Sequence, residues 1–189
     1  MFSRLATIRI PAGLDAALYP KGARSSVWAN SAEMYLTGPV YLLNVKAKVH
    51  QQIEWLQRVA PHSLQTLPSN LEALAYHCLD HDIALSSLKE LRTLSEMLRP
   101  EVRDICRKAF GLEIQDIYSA EEVGHIALQS PASEQLIIQA ETIMVEVLDE
   151  QNHPCAPGEI GRVVVTPLHA FAMPLIRYSI GDYAEAGGA

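Results

Sequence analysis

Apolar residues over roughly the first two thirds of the chain follow two alternating rhythms, one of strands and one of helices. Leu5 to Ile10 reads as a short extended piece. It lies in a stretch, Phe2 to Ser31, otherwise marked by breaks at Pro11-Ala12-Gly13, Pro20-Lys21-Gly22 and Ser25-Ser26, so few packed elements are expected there. Between Gly38 and Val45 a β-branched and aliphatic run reads as a strand buried on both faces. Val49 to Ala60 then places Val49, Ile53, Leu56 and Val59 at helical spacing with polar residues between them. A strand followed by an amphipathic helix is the repeating unit of a parallel sheet.

The unit recurs. Ser63 to Leu67 reads as a second short strand, and Ser69 with Glu72 three residues on reads as a capping box. The helix this opens carries Leu71, Leu74, Ala75, Cys78 and Leu79 on one side. Leu88 to Leu94 is a third strand, although its periodicity also fits a helix. Glu101 to Phe110, after Pro100, is a helix with Val102, Ile105, Cys106 and Ala109 inward, and Gly111 is placed to end it. Ile114 to Tyr118 is the next strand. Alternation of this kind predicts an α/β fold, a parallel-sheet layer with flanking helices and right-handed crossovers.

After Gly124 the texture changes. Ile137 to Ala140, Ile143 to Leu148 and Gly161 to Thr166 are short alternating runs broken by turn-rich sequence, the signature of a smaller antiparallel β subdomain, read as a distorted barrel. The expected division is residues 1–124 for the α/β part and 125–189 for the β-rich part. Nothing Gly/Ser-rich or strongly charged separates them.

Composition narrows the function classes. A chain of 189 residues can bury one sizeable core, and its formal charge of −7, with no cluster of Lys and Arg, argues against a nucleic-acid surface. Cys78, Cys106 and Cys155 are odd in number and far apart, which predicts neither a disulfide framework nor a thiolate zinc site. No run approaches a membrane span or the core of a secretory signal, so a cytoplasmic protein is expected.

The most informative stretch runs from Pro157 to Glu185. It holds a β-rich segment, a bend bounded by Pro167 and Pro174, then Arg177-Tyr178 leading to a tight Gly181-Asp182 turn. That turn either closes a hairpin or presents a carboxylate free to accept from a vicinal diol such as a ribose. Its company decides the reading. QDIYSAEEVG at 115–124, GEIGR at 158–162 and RYSIGD at 177–182 follow one another in an order and spacing that resemble the phenylacetate-CoA ligase-like members of the adenylate-forming, AMP-binding superfamily. The resemblance extends more weakly through Leu64 to Ala75 and Leu88 to Asp104.

This resemblance implies part of the large domain of an ATP-dependent acid–thiol ligase, which activates a carboxylic acid such as phenylacetate as an acyl-adenylate and passes it to coenzyme A. ATP or AMP, Mg²⁺ and an aromatic or other small carboxylic acid are the implied ligands. Tyr118 matches the aromatic that packs on adenine, Glu122 the glutamate that helps hold Mg²⁺, and Asp182 the acid that accepts from the ribose. Two positions depart from the pattern. Ser119 replaces the usual glycine, and Glu121 stands where a Thr or Ser hydroxyl contacts the nucleotide's phosphate, so that a carboxylate faces a phosphate unless it turns away or binds metal. Leu94-Ser95-Glu96 stands where a Gly-Ala-Glu-like loop lines the adenine pocket.

No phosphate-binding glycine loop is found, since Gly13, Gly22 and Gly38 stand alone, and the sequence given stops before the position of the family's catalytic lysine. The middle of an enzyme is the expectation, with no certain catalytic residue of its own. The alternative is a non-catalytic nucleotide-binding relic or interaction module, and an uncovered sheet edge is expected to favour homo-oligomers. His77 and His81 at i, i+4 have a zinc spacing without a third ligand, and read as two surface histidines. His153 and Cys155 fall in a hairpin turn, His169 caps the bend near the pocket or meets substrate, and Arg177 is expected to pair with Glu122 or Glu159.

Overall fold

The computed structural model describes residues 3–11, 16–26, 37–130 and 135–187. Gly13 and the terminal Gly188-Ala189 lie outside them. The chain forms two compact units, residues 1–116 and 117–189. The division falls within a strand, upstream of the change of texture at Gly124.

The first unit is the expected α/β layer. Its strands are β1 (Leu5–Arg9), β2 (Ala23–Ser25), β3 (Val40–Asn44), β4 (Ser63–Thr66) and β5 (Glu90–Leu94). The sheet order runs β2-β3-β1-β4-β5 and continues into β6 (Ile114–Ala120), which begins in this unit and ends in the next. β3, β1, β4 and β5 are parallel neighbours, and β2 lies antiparallel at the edge. The strand buried on both faces is β1, where Leu5, Ala6, Thr7 and Ile8 are all buried. β3 is buried only at Leu43 and Asn44, because β1 takes the central place between it and β4.

Among the described residues three helices alternate with these strands: α1 (Val49–Val59), α2 (Pro68–Asp80) and α3 (Pro100–Phe110). Their apolar faces, with Ile53, Trp55, Leu56, Leu71, Leu74, Ala75, Cys78, Val102 and Cys106, bury against Ala6, Ile8, Leu43, Leu64, Leu91 and Ile114 of the strands. α3 ends as expected, with Gly111 as its left-handed cap. The start of α2 differs from expectation. Pro68 takes the first helical position, where its missing N–H costs nothing, and Leu67 is the cap residue. Ser69 therefore sits inside the first turn, and its N–H and Oγ both donate to the Glu96 carboxylate at 3.0 Å. That carboxylate serves the exposed donors of the helix start in place of the capping box, while Glu72 pairs with Arg99 at 2.8 Å.

The second unit is built on β7 (Gly124–Gln129), β8 (Leu136–Ile138), β9 (Ile143–Leu148), β10 (Ile160–Pro167) and β11 (Tyr178–Glu185), with the end of β6. β6, β7 and β8 form an antiparallel meander, and β11-β10-β9 form a separate antiparallel sheet. The strands stay in two sheets where the sequence suggests one distorted barrel. Ile126 of β7 and Ile143, Val163 and Val165 of the smaller sheet are buried together, with Tyr118, Tyr178 and Ile180 packed on them. Among the described residues no helix is long and apolar enough to cross a membrane.

Candidate functional site

The candidate residues of the second unit converge because two local irregularities aim them. The first is the β6–β7 hairpin. Val123 N–H donates to Ala120 O at 3.3 Å, closing a β-turn whose two central residues are Glu121 and Glu122. Both are exposed at the tip. Tyr118 lies back along β6, opposite Ala127, where the ladder register shifts. Its half-buried ring packs against the core cluster.

The second irregularity is in β11. Tyr178 and Ser179 pair with Val165 and Val164, and Tyr183 pairs with Arg162, so Ile180, Gly181 and Asp182 together face the single residue Val163. The Gly181-Asp182 pair, read as a turn, is instead a bulge inside a continuous strand. Both structures need a backbone that a Cβ opposes, and Gly181 supplies it at φ +89. The bulge turns Asp182 out of the ladder's alternation.

The two irregularities meet at a hydrogen bond. Tyr118 Oη donates to Asp182 Oδ2 at 2.8 Å. Among the described residues no hydrogen bond reaches Oδ1, and Asp182 is exposed, so one carboxylate oxygen is anchored and the other is open to a ligand. A second, longer contact runs the opposite way, from Tyr178 Oη on β11 to Glu122 Oε1 at the hairpin tip, 3.5 Å. Two tyrosine–carboxylate pairs thus lace the hairpin to β11. Tyr118 is the packed interior aromatic and a contributor to the candidate site at once.

Burial, the hydrogen bond to Asp182 and that carboxylate's negative charge, in that order, all push the Tyr118 phenol well above the ordinary tyrosine range. A folded-state value raised above the unfolded one favours the native state below about pH 10 and loses that contribution as pH rises through the folded value. An alkaline absorbance titration is therefore expected to leave at least one tyrosine protonated after the others have ionised. Tyr118→Phe should remove the latest step and leave that of Tyr19, whose hydroxyl bond to Glu54 also raises its phenol, and a latest step unchanged by the substitution would place the most perturbed phenol elsewhere.

Other sequence-singled residues fall outside this constellation. Arg177 pairs with neither Glu122 nor Glu159. Its guanidinium grips Glu146 of β9, Nε to Oε2 and Nη2 to Oε1 both at 3.1 Å, and Glu159 accepts from Ala156 N–H at 2.8 Å. Glu146 was invisible as a partner because cross-strand register decides it. His169 hydrogen-bonds through Nε2 to the Glu141 carbonyl at 3.1 Å, capping the bend. His77 and His81 stack with ring centroids 4.1 Å apart at the end of α2, and His153 lies 3.5 Å from Asp149 in the β9–β10 turn. Cys78 and Cys106 are buried thiols whose burial pushes them up to about 11 and about 12. In the first unit, Ser95 takes φ +69 in the loop after β5.

Among the described residues no three His, Cys, Asp or Glu side chains gather as a metal site. Glu122 fits a different arrangement. Its exposed carboxylate at a turn tip can share a hard cation with a ligand's phosphate oxygens, since Mg²⁺ commonly takes one or two carboxylates plus phosphate and water.

No protein-family model matches the chain. Protein CapK of Staphylococcus aureus is 27% identical over 138 residues, 70% of this chain and 28% of that protein. A 2-hydroxyisobutyryl-CoA ligase, in an open conformation with 2-HIB-AMP and CoA, superposes with a TM-score of 0.72 at 20% identity over 96% of this chain and 43% of its own. The fold is that of part of an adenylate-forming ligase. An anthranilate CoA ligase, AuaEII, in complex with anthranoyl-AMP agrees, with a TM-score of 0.68 at 18% identity over 96% of this chain and 37% of that one. So does the amide bond synthetase McbA of Marinactinospora thermotolerans, with a TM-score of 0.59 at 20% identity over 70% of this chain and 28% of that one. The chain spans less than half the length of each of these relatives. The adenylate-forming ligase fold accounts for both the parallel layer and the small antiparallel sheet.

Proposed function

We propose that the chain forms the nucleotide-holding part of an ATP-dependent acid–thiol ligase, in which a carboxylic acid is activated as an acyl-adenylate and transferred to coenzyme A. In this reading Asp182 accepts from the ribose hydroxyls through its open Oδ1, and the Tyr118 ring lies against adenine while its hydroxyl holds the carboxylate. Glu122 would help to hold Mg²⁺, which when bound would neutralise charge on the phosphates. The observation that carries the reading is the Tyr118–Asp182 hydrogen bond at 2.8 Å, which leaves a fixed, exposed carboxylate on the bulge of β11. The ligase fold, shared with enzymes crystallised with acyl-adenylates, supports it.

The acid is proposed to be small and aromatic, phenylacetate-like. The sequence resemblance supports this, and an anthranilate ligase is among the similar structures. Because the chain spans 43% of the hydroxyisobutyryl-CoA ligase, the reaction is assigned to a complete ligase polypeptide. A second reading, a non-catalytic nucleotide-binding relic or interaction module, is favoured by Glu121, whose carboxylate shares the hairpin tip with Glu122 where a hydroxyl would meet the phosphate.

Calorimetric titration with AMP tests the nucleotide-holding role and separates it from an interaction module, while thiol-dependent ATP consumption by a complete polypeptide separates a ligase from a relic. The ligase reading expects saturable binding that Asp182→Ala weakens by about 1–3 kcal/mol, roughly fivefold to 150-fold. Equal affinity of the parent and the variant, or no binding by either, would sink it.

A further inference from the structure

Arg177 immediately precedes β11, the strand that carries both Tyr178 and Asp182. Its backbone takes φ +51, a conformation that a residue with a Cβ holds only when its surroundings over-determine it. Two sets of contacts do so. Its N–H donates to Thr166 Oγ1 on β10 at 2.9 Å, and its guanidinium forks onto Glu146 of β9 through two bonds of 3.1 Å. One residue thus ties the start of β11 to both other strands of its sheet. The Arg177 and Glu146 side chains are 54% and 27% exposed, and a pair so wet adds little stability. Bidentate geometry at a strained corner places a strand more than it stabilises one.

What it places is the bulge. β11 leaves the corner in register with Val165 and Val164, skips three residues opposite Val163, and rejoins at Arg162. No residue of β11 is fully buried and Gly181 lies within it, and a strand so exposed, with a glycine inside, specifies its register weakly. The corner must therefore hold the first half of the strand. A slip there would carry Tyr178 from Glu122 and turn Asp182 from Tyr118.

We propose that Arg177 is a positioning residue for Asp182: pinned to Glu146 and Thr166, it fixes the register of β11 so that the Gly181-Asp182 bulge keeps its carboxylate on the Tyr118 hydroxyl. The inference rests on reading Asp182 as the ribose acceptor. It adds Arg177 and Glu146 to the residues that set selectivity for a ribose diol.

The test uses the full chain as parent, with Arg177→Gly, Arg177→Lys and Glu146→Gln. AMP and 2′,3′-dideoxy-AMP affinities are compared, with Tm and the Tyr118 hydroxyl proton followed by NMR alongside. Arg177→Gly relieves the positive-φ corner, so the variant folds without its guanidinium. The parent is expected to prefer AMP by about tenfold or more. Arg177→Gly and Glu146→Gln should bring that ratio near unity with Tm within a few degrees, and Arg177→Gly should also speed exchange of the Tyr118 hydroxyl proton. Arg177→Lys, which keeps the charge without the fork, should fall between. Variants that keep the parent's preference and slow exchange overturn the inference alone, as does an equal loss for both nucleotides accompanied by a fall in Tm. A parent that binds both nucleotides equally, or neither, overturns the reading of Asp182 and the inference with it.

Discussion

Leu91→Ala is expected to lose about 2–5 kcal/mol of folding free energy, enough to take a large share of a typical domain's stability. Leu91, the second residue of β5, is fully buried beside Leu64 of β4 in the parallel ladder. It belongs to the cluster formed with the buried faces of α2 and α3. Ladder bonds hold the strand on the β4 side, and the helices carry their own hydrogen bonds, so the site has little freedom to collapse around the missing atoms. Both the lost transfer energy and the cavity therefore count. Urea unfolding should show the midpoint falling at an unchanged slope. An Ile10→Ala control, at a position 58% exposed, should stay within about 0.5 kcal/mol. A Leu91 variant that matched this control would mean that the core is packed elsewhere.

Gly161→Ala is the second large effect, with an expected loss of about 1–3 kcal/mol or more from one added methyl group. A Cβ at Gly161 would lie 2.5 Å from Cys155 Sγ and 2.5 Å from the carbonyl oxygen of Leu148. Neither neighbour can retreat cheaply. Leu148 is paired with Arg162 across the ladder and bridged to Pro154, and Cys155 N–H is bonded to Val147 O at 2.9 Å. The thiol can be trimmed and the carbonyl cannot. Gly161→Ala with Cys155→Ala should therefore recover only part of the loss. Full recovery in the double variant would show that the sulfur alone fills the space. The second glycine of the GEIGR segment is thus required by the room left at β10, where a conformational preference would have tolerated alanine.

Much of the fold was legible because burial follows period. β4, α1, α3 and β6 appear where apolar spacing of two or 3.6 puts them, and Gly111 ends α3. β2 escaped notice because three exposed edge residues in turn-rich sequence carry no apolar period. The α2 start was misread because Ser69 has the chemistry of a cap, but Pro68 fixes the first helical position and Glu96, distant in sequence, claims the hydroxyl. At the site, Tyr118, Glu122 and Asp182 were named from the order of short motifs. Their linkage was not, because a glycine with positive φ suits a turn and a bulge equally, and only the pairing of β11 with β10 distinguishes them. Arg177 found Glu146 for the same reason: partners across a sheet are set by register, which one sequence does not display.

Titrating AMP into the ¹⁵N-labelled chain and following the Gly181 amide tests the central claim most directly, since that amide sits in the bulge beside Asp182 and resonates apart from most others. The account expects the Gly181 and Asp182 amides to shift saturably, with 2′,3′-dideoxy-AMP producing little change. Amides of the bulge that stay still while others move, or equal shifts with the dideoxynucleotide, would contradict it.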